Sequence, residues 1–253
     1  MTRTRMQDPQ SAAESPGVTW MRAKLATLGI APDEPELPDT PEPVPALEAA
    51  QRRIPYAYRE AVADHADIAA WVHTIAAAAV APHTDSLHPH HGGGGRRVVA
   101  RGPSLLLWGP TGTGKTHQAY GAIRSLTAMG CAVRWHAVKA ADLYGQMRPR
   151  PGVDVEWMLR DIVRIPLLLL DDLGAAKNSE WTEELTFRLL AWRDENRLPT
   201  LVTSNLAPVR TTAMDPRQPV LRDKVGDRVL SRLSGMCTAV EFHGPDRRFA
   251  PCG

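Results

Sequence analysis

Residues 104–116 read SLLLWGPTGTGKT, and this stretch decides the fold. SLLLW is a short apolar run of the kind that forms a buried strand. GPTGTGKT, residues 109–116, matches the pattern G-x-x-x-x-G-K-[ST] in the context that pattern requires, between a strand and a helix. Glycines let successive backbone N–H groups turn toward a bound anion. The helix that opens at Lys115 adds the positive end of its dipole. Lys115 is placed to reach the β- and γ-phosphates of a nucleotide, and Thr116 to offer its hydroxyl to Mg²⁺.

Working outward, strands and helices alternate from Ser104 on. KTHQAYGAIRSLTAMG predicts a helix with Ala119, Ile123, Leu126 and Met129 facing inward, ended by Gly130. CAVRWHAV predicts a strand, and KAADLYGQM and VEWMLRDIV predict helices. PLLLLDD is a continuous apolar strand, as in a parallel sheet buried on both faces. SEWTEELTFRLLAWRDEN predicts a helix on which Trp181, Leu185, Leu189 and Trp192 share a face. PTLVTSN and CTAVEF predict two more strands. Such alternation predicts a parallel sheet with helices on both sides.

The second chemical signal is LLLLDDLG, residues 167–174. An apolar strand ending in acids sets carboxylates at the sheet's C-terminal edge, beside the phosphate loop. Asp171 is the expected Mg²⁺ ligand, through water, and Asp172 the group that orients or deprotonates an attacking water. TLVTSN brings Asn205 to the end of a third strand, where its amide can bond both water and γ-phosphate; Ser-Asn also makes a good turn. Near the end, VGDRVLSRLSG puts Arg228 and Arg232 four apart, on one helical face. They form either a solvated basic face or a pair able to reach the nucleotide of a neighbouring copy in a head-to-tail ring or spiral.

Ahead of this module the chain is different. Residues 18–28 have helical spacing, and an acidic, proline-dense segment follows that reads as a semi-rigid linker. The short helix is either a frayed terminus or a hook for a partner protein. Residues 52–82 read as mostly helical, with Ile68, Trp71, Val72 and Ile75 as the apolar face. HTDSLHPHHGGGGRR reads as a plain loop; its histidines (His83, His88, His90, His91) lack metal-ligand spacing. The expected division is 1–51 as a flexible N-terminal extension and 52–253 as the catalytic domain, within which 52–100 form a helical lead-in and loop.

Composition sets outer limits. The chain has 253 residues, an apolar share of 43% and a formal net charge of +2. Six acids and no base fall between residues 25 and 51, so the rest carries about +8. That is compatible with nucleic acid without requiring it. No apolar stretch is long enough to span a bilayer, and the start MTRTRMQDPQ has no apolar core. Cys131, Cys237 and Cys252 read as reduced thiols. A cytoplasmic protein with no membrane partner is the expectation.

The series LLLWGPTGTGKTH, LLLLDDLGA, LVTSNL and GDRVLSRL resembles the AAA+ ATPases of the DnaC/DnaI helicase-loader and IstB transposition-helper group. RIPYAYREA is similar to the lead-in these proteins carry. The resemblance implies a P-loop, three-layer α/β/α fold with a five-stranded parallel sheet. It implies ATP and Mg²⁺ as cofactors, held by Gly109, Pro110, Thr111, Gly112, Thr113, Gly114, Lys115, Thr116 and His117. It also implies homo-oligomers on ATP binding, affinity for single-stranded DNA and a replicative helicase as partner. Arg232 falls in the box that carries the arginine finger, and Lys139, Arg148 and Arg150 surround the segment that faces the central channel. Only 21 residues follow Arg232, so no helical lid is expected. A late sensor arginine normally sits on that lid; Arg247 or Arg248 is the available substitute. The competing readings are a transposition helper, a small-molecule P-loop kinase and a nucleotide-gated adaptor that does not turn over.

Overall fold

The computed structural model describes Lys24 and residues 53–80, 97–212 and 214–249. The proposed hook helix, the acidic linker, the histidine loop and Cys252 lie outside the described residues, except that Lys24 is helical.

Five strands form one sheet: β1 Ser104–Trp108, β2 Trp135–Lys139, β3 Leu167–Asp171, β4 Thr200–Ser204 and β5 Cys237–Glu241. Their order is β2-β3-β4-β1-β5, and every pairing is parallel. Parallel neighbours need crossovers, which the helices supply. Helix α1 (Ala66–Ala78) precedes the sheet, and α2 (Lys115–Ala128) joins β1 to β2. Helices α3 (Ala140–Met147) and α4 (Val155–Val163) join β2 to β3, and α5 (Glu180–Glu195) joins β3 to β4. Helices α6 (Leu221–Val225) and α7 (Asp227–Met236) lead into β5.

Alternate side chains along a strand point to opposite faces, and in β1, β3 and β4 both faces are buried. Leu105, Leu107, Leu167, Leu169 and Leu201 pack with α1 and α2. Leu106, Leu168, Leu170 and Val202 pack with α3 to α7. The result is three layers, α/β/α. No helical lid follows β5 among the described residues; there is only a 3-10 turn, Arg247–Phe249. No helix among them is long and apolar enough to cross a membrane.

Three local expectations are refined. First, the helical residues of 52–82 that the structure describes are Arg53, the 3-10 turn Tyr56–Tyr58 and the 13 residues of α1, and the segment between Arg59 and His65 is not helical. Bonds to α2 outbid helix formation there. The Val62 N–H donates to His117 Nε2 at 3.3 Å, the His65 N–H to Gln118 Oε1 at 3.2 Å, and Arg124 to the Ala61 carbonyl at 2.6 Å. Gly121 has no Cβ, which lets the backbone of Val62 and Ala63 lie directly on the helix. Second, Met129 is 41% exposed rather than inward-facing, because α2 ends one residue earlier. Third, β2 starts at Trp135; Ala132 makes only an isolated bridge with Val98.

One buried cation escaped the sequence reading. Arg193 on α5 has no exposed surface. Its guanidinium donates to the carbonyls of Val163, Ile165 and Pro199 (3.0, 2.7 and 2.9 Å) and to Thr200 Oγ1 (2.8 Å). Burial pushes its pKa down to about 9, which leaves it charged at neutral pH.

Candidate functional site

The C-terminal ends of β1, β3 and β4 meet at one edge of the sheet. After β1 the chain turns through 109–114 into α2. Gly112 and Gly114 sit at φ 80° and 101°, left-handed angles that a side chain would strain. Lys115, 5% exposed, folds its ammonium back onto the loop. It donates to the carbonyls of Gly109 (2.8 Å) and Pro110 (2.7 Å). Thr113 Oγ donates to the Pro110 carbonyl at 2.9 Å, so the loop braces itself. Burial lowers the Lys115 pKa, against the pull of Asp172 and Asp171, and Arg248 lowers it further.

Asp171 ends β3. One of its oxygens, Oδ1, accepts from Thr116 Oγ1 at 2.8 Å and from Thr203 Oγ1 at 2.7 Å. Asp172 follows at φ 56°, a left-handed angle uncommon outside glycine and costly unless its surroundings fix it. The fixing bonds are present. Its N–H donates to Thr203 Oγ1 at 2.8 Å, and its Oδ1 accepts from Asn205 Nδ2 at 2.7 Å.

Strand β4 lies between β1 and β3, so Thr203 touches both acids. It is 2% exposed and was not singled out from sequence. The signal was the strand period of two, which puts Leu201, Thr203 and Asn205 on one face.

These donors fit Mg²⁺. That ion keeps several waters and takes one or two carboxylates plus phosphate oxygens, with no need of an all-protein cage. Thr116 and Asp171 converge to 2.8 Å beside the loop. No group of three or more His, Cys, Asp or Glu that would make a cage occurs among the described residues.

A cavity opens over this edge. Thr111, Gly112, Gly114, Lys115, Thr116 and His117 form its floor, with Asp171, Asp172 and Asn205 to one side. Tyr58 forms an aromatic wall and stacks on Tyr120, with centroids 4.8 Å apart. Burial raises the Tyr120 phenol to about 12, with Asp171 and Tyr58 contributing, so it stays neutral. His117 lines the cavity, while its Nε2 accepts from the lead-in at Val62.

The three basic residues grouped from sequence are not together. Lys139 lines this cavity, and its Cα pairs with Asp171 across β2 and β3. Arg148 and Arg150 line a separate groove with Lys177, Tyr144 and Trp181. Arg228 and Arg232 share one face of α7, and neither lines the cavity. Both lie over the Phe187 ring, at 4.2 and 5.8 Å from its centroid. Arg228 pairs with Glu184 at 3.3 Å and Arg232 with Asp194 at 2.7 Å, both on α5.

A family model described as IstB-like ATP binding protein matches residues 96–249. A Mycobacterium tuberculosis (strain ATCC 25618 / H37Rv) protein, named as an ATP-binding protein in an insertion sequence, is 28% identical over 139 residues. That alignment covers 53% of each chain. The replicative helicase loader DnaC of Escherichia coli (strain K12) is 25% identical over 133 residues, 51% of this chain and 49% of its own. The chain thus spans about half the length of the curated relatives it matches. In fold it is similar to the crystal structure of the DnaC helicase loader. The TM-score is 0.54 at 21% identity, covering 75% of this chain and 100% of that one. DnaI gives a TM-score of 0.50 at 20% identity, covering 80% and 92%. The family model spans more than half of the chain, over the phosphate loop, the paired acids and the arginine helix, and the chain belongs to the IstB-like ATP-binding proteins.

Proposed function

We propose that this chain is a Mg²⁺-dependent ATPase, occupying 52–253, that assembles head to tail with its own copies and acts on a DNA-bound partner. The observation that carries this reading is the meeting of Lys115, Thr116, Asp171, Asp172 and Asn205 at one sheet edge. A second acid directly after the metal ligand favours attack by water and weakens the reading as a small-molecule kinase.

Lys115 exchanges its two loop carbonyls for phosphate oxygens when nucleotide enters. Thr116 and Asp171 would hold Mg²⁺, which when bound would neutralise charge on the phosphates. Asp172 accepts the proton of the attacking water, or fixes its lone pair in line with the γ-phosphorus. Asn205 holds that carboxylate and leaves its amide oxygen for the water. Tyr58 offers an apolar face to the base. Arg232 completes the site of the adjacent copy by neutralising charge on the γ-phosphate.

The groove with Arg148, Arg150, Lys177 and Trp181 supports single-stranded DNA as a ligand. Cations there track the backbone while an aromatic ring stacks on a base. A replicative helicase is the proposed partner. The insertion-sequence relative and the IstB-like family model favour a second reading, a transposition helper acting on a transposase.

Steady-state phosphate release, with and without single-stranded DNA, tests the proposal. The expected result is Mg²⁺-dependent turnover that DNA changes and that Asp172→Asn lowers by about 10²–10⁴. Nucleotide binding without turnover under all conditions would leave only a nucleotide-gated adaptor. Pull-down from host extract then separates helicase from transposase.

A further inference from the structure

One aromatic ring stands between α5 and the two arginines of α7. Glu184, Phe187 and Asp194 lie along one side of α5, and Arg228 and Arg232 meet them from α7. Each guanidinium has its own acid, but the two share the Phe187 ring, at 4.2 and 5.8 Å from its centroid. The ring is half-buried and packs against the core cluster that contains Leu185, Leu190 and Leu233. The core therefore fixes the ring, and the ring in turn carries the arginines.

A ring holds a guanidinium in a way that an acid cannot. A carboxylate holds it by taking its N–H donors, whereas an aromatic face covers the planar cation and takes none. Arg232 gives Nη1 to Asp194, and Arg228 gives Nη1 to Glu184. The remaining donors of each fork make no other hydrogen bond among the described residues. Net charge does not aim them. The concavity beside the pair is lined by Asp194 and Asp227 as well as by Arg228 and Arg232, so it has no surplus charge with which to collect an anion. Ser231 and Gly235 complete its lining, and a Cβ on Gly235 would meet nothing within 4 Å, so the concavity is open. What reaches a phosphate from here is decided by where the forks point.

We propose that Phe187 is a positioning residue for the reaction in the adjacent copy: its ring sets the direction in which Arg232 presents its free donors to that copy's nucleotide. This rests on the head-to-tail reading and deepens it. A long side chain at the surface samples many rotamers, and a ring face that attracts the cation removes most of that freedom before the neighbour arrives. An aliphatic side chain at 187 fills the same space on the core and offers no such face. The arginine then still exists and still carries its charge, but it is aimed less well, and small misplacements are costly in rate.

The experiment measures phosphate release from full chains mixed in equal amounts. The acceptor is Arg232→Ala, which keeps its acids and lacks the arginine. The donor is Asp172→Asn alone, or Asp172→Asn with Phe187→Leu or Phe187→Tyr. The donor's own acid is already silent, so a change at Phe187 acts only through the arginine that the donor lends. Leucine keeps an apolar contact with the core, and every donor is expected to fold and to assemble on ATP. The expected result is that Phe187→Leu lowers the rescued rate about 10-fold, while Phe187→Tyr, which keeps the ring, stays within about 3-fold of the Asp172→Asn donor. Equal rescue by all three donors would overturn the proposal, as would a Phe187→Tyr donor as poor as the Phe187→Leu one. A Phe187→Leu donor that no longer assembles would also overturn it, since the ring would then be holding the interface. If Asp172→Asn alone does not rescue Arg232→Ala, the head-to-tail reading fails and this inference with it, a pattern distinct from donors that rescue whatever stands at 187.

Discussion

Asn205 Nδ2 donates to Asp172 Oδ1 at 2.7 Å, and this single bond ties the end of β4 to the acid that follows β3. Asp172 has a left-handed backbone angle that its side chain alone does not favour, and Thr203 and Asn205 hold it there. A carboxylate fixed on both backbone and side chain loses little freedom on meeting a water, which is the condition for an efficient base. Asn205→Ala is expected to lower kcat on the order of 10- to 100-fold, with ATP affinity changed less than about 3-fold. Stopped-flow phosphate release beside equilibrium binding checks this. An equal loss in affinity would mean that Asn205 holds nucleotide rather than positioning the acid.

Lys115 gives a prediction in pH. Burial lowers its pKa below 10.5, and only the ammonium form binds phosphate. ATP affinity is therefore expected to fall as pH rises through that lowered pKa, earlier than for an exposed lysine. Stability runs the other way. Between the folded pKa and 10.5 the unfolded chain binds the extra proton, so this group makes the nucleotide-free protein more stable as pH rises. Binding titrations and urea melts across the alkaline range separate the two slopes. Lys115→Ala should weaken ATP binding by roughly 100-fold and remove the affinity slope.

Arg193 is expected to matter for stability and not for chemistry. It satisfies the carbonyls of Val163, Ile165 and Pro199 where the ends of α4 and α5 lead into β3 and β4. Arg193→Met keeps most of the bulk and strands those acceptors in the interior. A loss of about 3 kcal/mol is expected from the unmade bonds, net of the relief from not burying a charge. Denaturant unfolding reads it. A change below about 1 kcal/mol would mean that water replaces the guanidinium.

The sheet was legible because its strands carry one pattern without ambiguity. LLLL at 167–170 is too short for a helix and too apolar for one buried face, and LVTS at 201–204 is short and bounded by Pro199 and Asn205. Lys115, Thr116, Asp171, Asp172 and Asn205 were legible because each sits at a fixed offset from the end of such a strand. Residues 59–65 were not. They read as part of a helical stretch, and what defeats it there is a set of bonds to His117, Gln118 and Arg124, more than 50 residues away. Arg193 was hidden for a related reason: on the helix pattern it is one more charge beside Trp192, and only the meeting of three segments gives its five donors somewhere to go. Lys139 was grouped with Arg148 and Arg150 by nearness in sequence, but it ends a strand whose neighbour ends in Asp171, which carries it to the nucleotide edge.

The arginines of α7 give the last prediction. Arg232 does not line its own chain's cavity, and its guanidinium is held by Asp194 at 2.7 Å over the Phe187 ring. A finger acting on a neighbour has to be presented rigidly at the surface, and this pairing presents it. Arg232→Ala is expected to spare ATP binding and to abolish turnover, with unfolding shifted by no more than about 1 kcal/mol because the pair is partly exposed. Mixing with Asp172→Asn protein, which keeps Arg232 but cannot hydrolyse, should then restore phosphate release. Each restored site combines the acids of one copy with the arginine of the other. Rescue should follow the statistics of mixed neighbours, reaching its maximum near equal proportions. Turnover that stays absent at every ratio would place the effect of Arg232 within its own subunit, through Asp194 and α5, and the head-to-tail arrangement would lose its main support.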